Sequence, residues 1–260
     1  MTEKKTSNTD ARDTISAEIG DVENSAIAVG YKNIVGNKIT YNIQQTANAT
    51  ISALHQLRAP VGDFVGREQE IDELIKALHG GSRSCIAGIS GMGGIGKTEL
   101  ALLVAQRLSN DYPDAQFFIN LQGTDPNARQ PQEVMANCIR AFLGPEARLP
   151  ENLDQLSQLY RSQLSDKRVL LLFDNAADSA QVRPLLPPTG CALLVTSRQA
   201  ITLPGMAPLT LNPLTEKEAR ALLLEIAPHS AIPAEQICQL CGYLPLAISA
   251  AGSLLGSHLI

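Results

Sequence analysis

Apolar positions take three spacings in turn along the chain. In residues 15–43, Ile15, Ile19, Val22, Ile27, Val29, Ile34, Val35, Ile39, Tyr41 and Ile43 recur among Gly, Asn and Ser. Ile27/Val29 and Ile39/Tyr41/Ile43 alternate with period two, and Gly20, Gly30 and Gly36 punctuate them, so short strands with tight turns are expected. So few strands bury no core alone and need something to stack on, copies of themselves included. From about Val61 the pattern becomes apolar runs alternating with helical periodicity. Residues 83–90 read as a buried strand, and residues 98–108 as a helix through Leu100, Leu103, Val104 and Leu108. Residues 116–121 read as a strand. Residues 131–143 read as a helix, with Pro131 at its start and Gly144 just past its end. Residues 152–164 form a further amphipathic helix. Residues 169–173 and 191–195 are continuously apolar, as strands buried on both faces of a parallel sheet are. Residues 210–211 close a last short strand. After Asn212 only helices are expected: Thr215-Glu216-Lys217-Glu218 is a capping box, and residues 233–241 and 246–260 complete a small helical region.

The fold expected is therefore α/β: a parallel sheet with flanking helices, followed by a small all-helical subdomain and preceded by a short β-rich or disordered leader. The boundaries are a leader over 1–60, an α/β domain over 61–212 and a helical subdomain over 213–260. Within the leader, residues 1–14 are polar and read as disordered, and residues 44–60 read as a linker or short helix. No C-terminal cap signal precedes Ile260, which is the expectation for a piece of a longer protein.

Composition narrows the function classes. Apolar residues make up 44% of the 260 positions and charged ones 18%, enough for a sizeable core. A net charge of −5 argues against broad electrostatic binding to nucleic acid or an anionic membrane. The five cysteines are scattered and odd in number, which suits buried thiols in a reducing compartment better than a disulfide frame. Cys238-Gln239-Leu240-Cys241 has C-x-x-C spacing, but a metal or redox site would need a second pair or a suitable strand–helix setting. The polar start leads into no apolar signal region, and no run of 18 apolar residues occurs, so a cytoplasmic location is expected.

The chemistry concentrates in Gly91-Met92-Gly93-Gly94-Ile95-Gly96-Lys97-Thr98, a G-x-x-x-x-G-K-[S/T] loop between an expected strand and an expected helix. Phosphates need many backbone N–H groups converging on one point. Glycines allow that close approach, and the following helix offers its positive end. Lys97 would neutralise the β- and γ-phosphates, and Thr98 would offer its hydroxyl to Mg²⁺. Gly91, Gly93, Gly94, Ile95, Gly96 and Glu99 complete the expected nucleotide contacts. The strand at 169–173 ends in Asp174, at the carboxyl edge where such sheets bind ligands. There it holds Mg²⁺ or caps the helix that follows. Arg198 ends the next strand, where it reaches the γ-phosphate or makes a surface ion pair.

Taken in order, Phe64-Val65-Gly66-Arg67-Glu68-Gln69-Glu70, the P-loop, Asp174-Asn175-Ala176-Ala177-Asp178, Thr196-Ser197-Arg198 and Cys241-Gly242-Tyr243-Leu244-Pro245-Leu246-Ala247 resemble the NB-ARC domain of STAND NTPases. The bacterial AfsR-type subgroup is the nearest, and the resemblance covers about residues 61–260. It implies that Val65, Gly66 and Arg67 lie against adenine, that Asp174 orders Mg²⁺, that Arg198 is the sensor arginine and that Pro245 packs on the nucleotide. It also implies ATP or ADP with Mg²⁺ as ligands, and an ADP-locked switch that opens on exchange and self-associates, through the leader or on activation. The chain departs from the family at Asn175, where many relatives carry a second acid. An amide is no general base, so weak ATPase activity is expected unless a base such as Asp178 stands in. A P-loop kinase or steadily turning-over ATPase is the alternative, and a pure interaction module a third. Direct nucleic-acid or membrane binding is not expected.

Overall fold

The computed structural model describes residues 30–35, 38–43, 54–79, 85–228 and 233–257. The expected disorder of residues 1–14, the Ile27/Val29 strand and most of the 44–60 linker lie outside these residues. The chain divides into two units, residues 1–47 and 48–260.

In the first unit, β1 (Gly30–Val35) pairs antiparallel with β2 (Lys38–Ile43), with Val35 opposite Lys38 across a two-residue connection. Gly30, one of the punctuating glycines, opens β1. The alternating Ile39, Tyr41 and Ile43 fall inside β2 as expected.

The second unit is built on a five-stranded parallel sheet ordered β4-β5-β6-β3-β7. Its strands are β3 (Cys85–Ser90), β4 (Ala115–Asn120), β5 (Val169–Ala176), β6 (Ala192–Ser197) and β7 (Met206–Thr210). The continuous apolar run of β5 divides by alternation. Val169, Leu171 and Phe173 enter one core, with Phe117, Leu193 and Val195. Leu170 and Leu172 enter the opposite one, with Ala87, Ile89 and Leu194. Successive side chains of a strand point to opposite faces, so a strand covered on both sides must be apolar throughout. The first core is closed by α3 (Pro131–Leu143) and α4 (Leu153–Leu164), the second by α1 (Glu68–Leu78) and α2 (Lys97–Arg107). The Asn152 side chain caps α4 by accepting from the backbone N–H groups of Asp154 and Gln155. Helix α1 is not among the sequence expectations, although its buried Ile71, Leu74 and Leu78 have helical spacing.

The sheet edges are treated differently. Pro208 stands in β7, where its missing N–H costs no ladder bond to a further strand. Along β4, His55 forms a parallel bridge to Gln116, whose backbone carbonyl also accepts from Gln56 N–H at 2.8 Å. A short helix α5 (Ser179–Val182) follows β5.

Helices α6 (Glu216–Ile226), α7 (Ala234–Leu240) and α8 (Pro245–Ser257) form a cluster with its own core of Leu214, Ala219, Leu222, Leu223, Ile237, Cys238 and Ile248. The expected capping box is present: Thr215 accepts from Glu218 N–H while Glu218 accepts from Thr215 N–H. The two parts exchange side chains. Val65, ahead of α1, packs on the helical core, and Leu244, ahead of α8, packs on the sheet core.

None of the five cysteines is bridged in a disulfide. Burial pushes the Cys138 thiol up to about 12 and that of Cys191 up to about 11. The thiolate is the reactive form, so neither should alkylate in the folded protein at pH 8, and both should do so once it is denatured. Mass spectrometry of iodoacetamide-treated peptides reads this out. Labelling of either in the native protein within minutes would contradict the packing described.

Candidate functional site

The P-loop connects the carboxyl end of β3 to α2, one strand in from the β7 edge of the sheet. Lys97, the first residue of α2, is half-buried and folds back along the loop. Its Nζ donates to the Gly91 carbonyl at 2.8 Å and the Met92 carbonyl at 2.9 Å. Burial lowers its pKa below the ordinary lysine value. The neighbouring Arg198 guanidinium lowers it further, and Asp174 opposes both. The ammonium therefore sits where an anion would relieve it.

Strand β6 separates β3 from β5, yet Asp174 still reaches the P-loop. It is 8% exposed, and its Oδ1 accepts from Thr98 Oγ1 at 2.8 Å and Thr196 Oγ1 at 2.6 Å. Thr196 in turn accepts from Asn175 N–H at 2.9 Å. Asn175 breaks the ladder: the register between β5 and β6 shifts between Phe173 and Ala176, and Asn175 has φ +55°. Asn tolerates that left-handed conformation better than most residues. Its carbonyl accepts from Gly123 N–H at 2.7 Å, and its Nδ2 donates to Thr124 Oγ1 at 3.2 Å. Asp178 is occupied elsewhere, capping α5 by accepting from Gln181 N–H at 2.9 Å.

Arg198 follows β6, is exposed, and lies beside the loop: its Cζ is 3.9 Å from where a Cβ on Gly93 would stand. Its guanidinium joins none of the ion pairs among the described residues. From the helical cluster, Leu246 N–H donates to the Gly94 carbonyl at 3.2 Å, and Pro245 Cγ is 3.8 Å from the Cβ position of Gly96. Glu99, in the first turn of α2, accepts from Val61 N–H at 3.2 Å.

The Val65-Gly66-Arg67 segment is held from three directions. Arg67 is 6% exposed with φ +67°. Its backbone N–H donates to Glu218 Oε1 at 3.0 Å, its Nη1 to Glu70 Oε1 at 2.8 Å and its Nη2 to the Asn212 carbonyl. The guanidinium is thus committed to protein partners. Burial pushes the Glu218 pKa up, but hydrogen bonds from Thr215 and Arg67 outweigh it, so the carboxyl lies below its ordinary value.

Lys97, Thr98, Asp174, Arg198 and Pro245, singled out from sequence, thus converge on one loop. A hydroxyl and a carboxylate 2.8 Å apart are hard oxygen donors of the kind Mg²⁺ takes, and the loop N–H groups with Lys97 suit phosphate. Thr196 and Glu218, to which sequence reasoning assigns no part in the site, hold Asp174 and the Arg67 backbone respectively. Thr196 sits in the strand-end motif carrying Arg198, and Glu218 showed only as a helix cap.

A family model described as NB-ARC domain matches residues 67–230. The chain belongs to the NB-ARC family. It is similar to the regulatory protein AfsR of Streptomyces coelicolor, 39% identical over 228 residues, covering 82% of this chain and 23% of that protein. It is similarly related to AfsR of Streptomyces griseus, 40% identical over 212 residues, covering 78% of this chain and 22% of that one. The chain thus spans less than a quarter of the length of these relatives. In fold it resembles the Signal Transduction ATPase with Numerous Domains protein with a tetratricopeptide repeat sensor from Pyrococcus horikoshii. That match has a TM-score of 0.50 at 18% identity and covers 74% of this chain and 30% of that one. The NB-ARC module here is accordingly an AfsR-like, STAND-type domain with a nucleotide-binding P-loop NTPase fold. No helix among its described residues is long and apolar enough to cross a membrane.

Proposed function

We propose that this chain is the adenine-nucleotide switch of a bacterial signalling protein. It holds ADP or ATP with Mg²⁺ and hydrolyses ATP slowly. The observation that carries the reading is the hydrogen bond from Leu246 N–H, in the helical cluster, to the Gly94 carbonyl of the phosphate loop, with Pro245 beside Gly96. A nucleotide held there would touch both parts of the molecule, and its γ-phosphate would bias how they sit. Within this reading Lys97 and the N–H groups of residues 91–98 bind phosphates, and Val65, Gly66 and Arg67 shape the base side. Thr98 and Asp174 hold Mg²⁺, which would neutralise phosphate charge there, and Arg198 contacts the γ-phosphate. Residues 61–212 and 213–260 are the two moving parts.

Slow hydrolysis follows from Asn175 and Asp178. The first is an amide, and the second is spent on a helix cap, so neither is free to take a proton from water. Self-association, through the leader or on exchange, belongs to the same proposal: a two-stranded hairpin such as β1–β2 gains stability by stacking on further strands. A cytoplasmic setting suits the unbridged cysteines and the nucleotide.

The test is to identify the nucleotide that co-purifies, by denaturing the protein and separating the released bases by chromatography. Stoichiometric ADP that survives gel filtration is expected. Nucleotide-free protein with only micromolar affinity for both ADP and ATP would overturn the switch. Steady phosphate release over many turnovers, or transfer to an added acceptor, would move the assignment to an ATPase or kinase.

A further inference from the structure

The Glu218 carboxylate divides its two oxygens between two parts of the fold. Oε2 accepts from Thr215 N–H at 2.9 Å and from Thr215 Oγ1 at 2.7 Å, inside the first turn of α6. Oε1 leaves the helix and accepts from Arg67 N–H at 3.0 Å, 151 residues away in sequence. The fit is close. A Cβ on Gly66 would stand 2.3 Å from Oε1 and 2.7 Å from the Glu218 Cδ, so only glycine lets the carboxylate approach the chain there.

The segment it grips does not hold its own shape. Gly66 and Arg67 both have left-handed backbone, φ +75° and +67°. For a non-glycine residue such as Arg67 this conformation is strained, because Cβ crowds the following carbonyl. Arg67 N–H precedes the first turn of α1, where an intrahelical partner is lacking in any case. The acceptor comes from the helical cluster instead. Asn212, in the connection leading to that cluster, takes the guanidinium, and Val65 packs on the helical core.

We propose that Glu218 is a positioning residue for nucleotide binding. Its carboxylate holds the Val65-Gly66-Arg67 segment in its base-facing shape only while the helical cluster is docked. The claim rests on the nucleotide reading above and deepens it: the helical cluster would govern the adenine side through Glu218 as well as the phosphate side through Pro245 and Leu246. Displacing α6 would free Arg67 N–H and relax the left-handed pair, weakening the grip on the base without touching Lys97.

Calorimetric titration of the whole chain with MgADP and, separately, with inorganic tripolyphosphate separates the two sides. Glu218→Ala is expected to weaken ADP binding about tenfold, as loss of one hydrogen bond to a charged group would, and to leave tripolyphosphate binding unchanged. Thr215→Ala opens the same helix cap and serves as the control. It should lower the melting temperature comparably and bind ADP as wild type does. The proposal is overturned if Glu218→Ala keeps wild-type ADP affinity, if it loses tripolyphosphate in equal proportion, or if Thr215→Ala weakens ADP binding equally. A wild-type chain that binds tripolyphosphate but not ADP would overturn the adenine reading itself.

Discussion

Lys97→Ala lowers affinity for ADP and ATP by about 10–150-fold, the loss of one charge-assisted hydrogen bond of about 1.5–3 kcal/mol. Titration calorimetry reads it directly. The folded protein should not suffer to match. In the structure the ammonium is disfavoured by burial and by Arg198, and its only hydrogen bonds among the described residues go to the Gly91 and Met92 carbonyls. Removing it should leave the melting temperature of nucleotide-free protein unchanged or slightly raised, while the shift on adding ADP shrinks. An alanine variant that melts much lower without ligand, yet keeps its affinity, would place Lys97 in the scaffold instead.

The same lysine sets a pH dependence. Burial and Arg198 lower its pKa in the free protein, and bound phosphate, being negative, raises it again. A group whose pKa rises on binding contributes affinity that is fully present below its free-state value and is lost as pH climbs through its bound-state value. ADP affinity should therefore be flat through neutrality and fall on the alkaline side, beginning below the ordinary lysine range. Lys97→Ala should lack that fall.

The second large effect is on stability. Gly123 lies in the connection from β4 to α3, against the end of β5. A Cβ there would stand 2.1 Å from the Ala177 nitrogen and 2.4 Å from the Ala176 carbonyl carbon. Both are backbone atoms, so no side-chain rotation can make room. Gly123→Ala should cost about 3 kcal/mol, or about 6–12 °C in melting temperature for a unit of this size. Gly62→Ala, where a Cβ meets nothing within 4 Å, is the control and should be neutral. The forced movement reaches the site, because Gly123 N–H also holds the Asn175 carbonyl, one residue from Asp174. Reduced nucleotide binding should accompany the lower melting point. A Gly123→Ala protein melting within a degree of wild type would show that the β4–α3 connection yields easily.

The elements that could be read from the chain are those governed by local chemistry. Pro131 and Gly144 bracket α3 as expected. Thr215 and Glu218 cap α6. The P-loop needs only its spacing and a strand and helix on either side. The apolar runs of β5 and β6 announce burial on both faces. What stayed hidden depends on residues far apart in sequence. The last strand was expected at 210–211 but runs over Met206–Thr210. Its exposed edge residues and Pro208 weaken the pattern, and only its pairing with β3 defines it.

The site divides along the same line. Residue identity and spacing were enough to nominate Lys97, Thr98, Asp174 and Arg198, because phosphate and Mg²⁺ chemistry restricts which side chains serve, whereas Pro245 came only through the resemblance to the NB-ARC family. Nothing in spacing says that β6 lies between β3 and β5, or that Asp174 nonetheless meets Thr98 and Thr196. Nor does it say that the Arg67 guanidinium turns to Glu70 and Asn212, or that a helix cap reaches across 151 residues to hold the Arg67 backbone. A linear pattern carries local backbone preference and side-chain chemistry. Strand order, and the hydrogen bonds that close across it, exist only once the two cores have brought those strands and helices together.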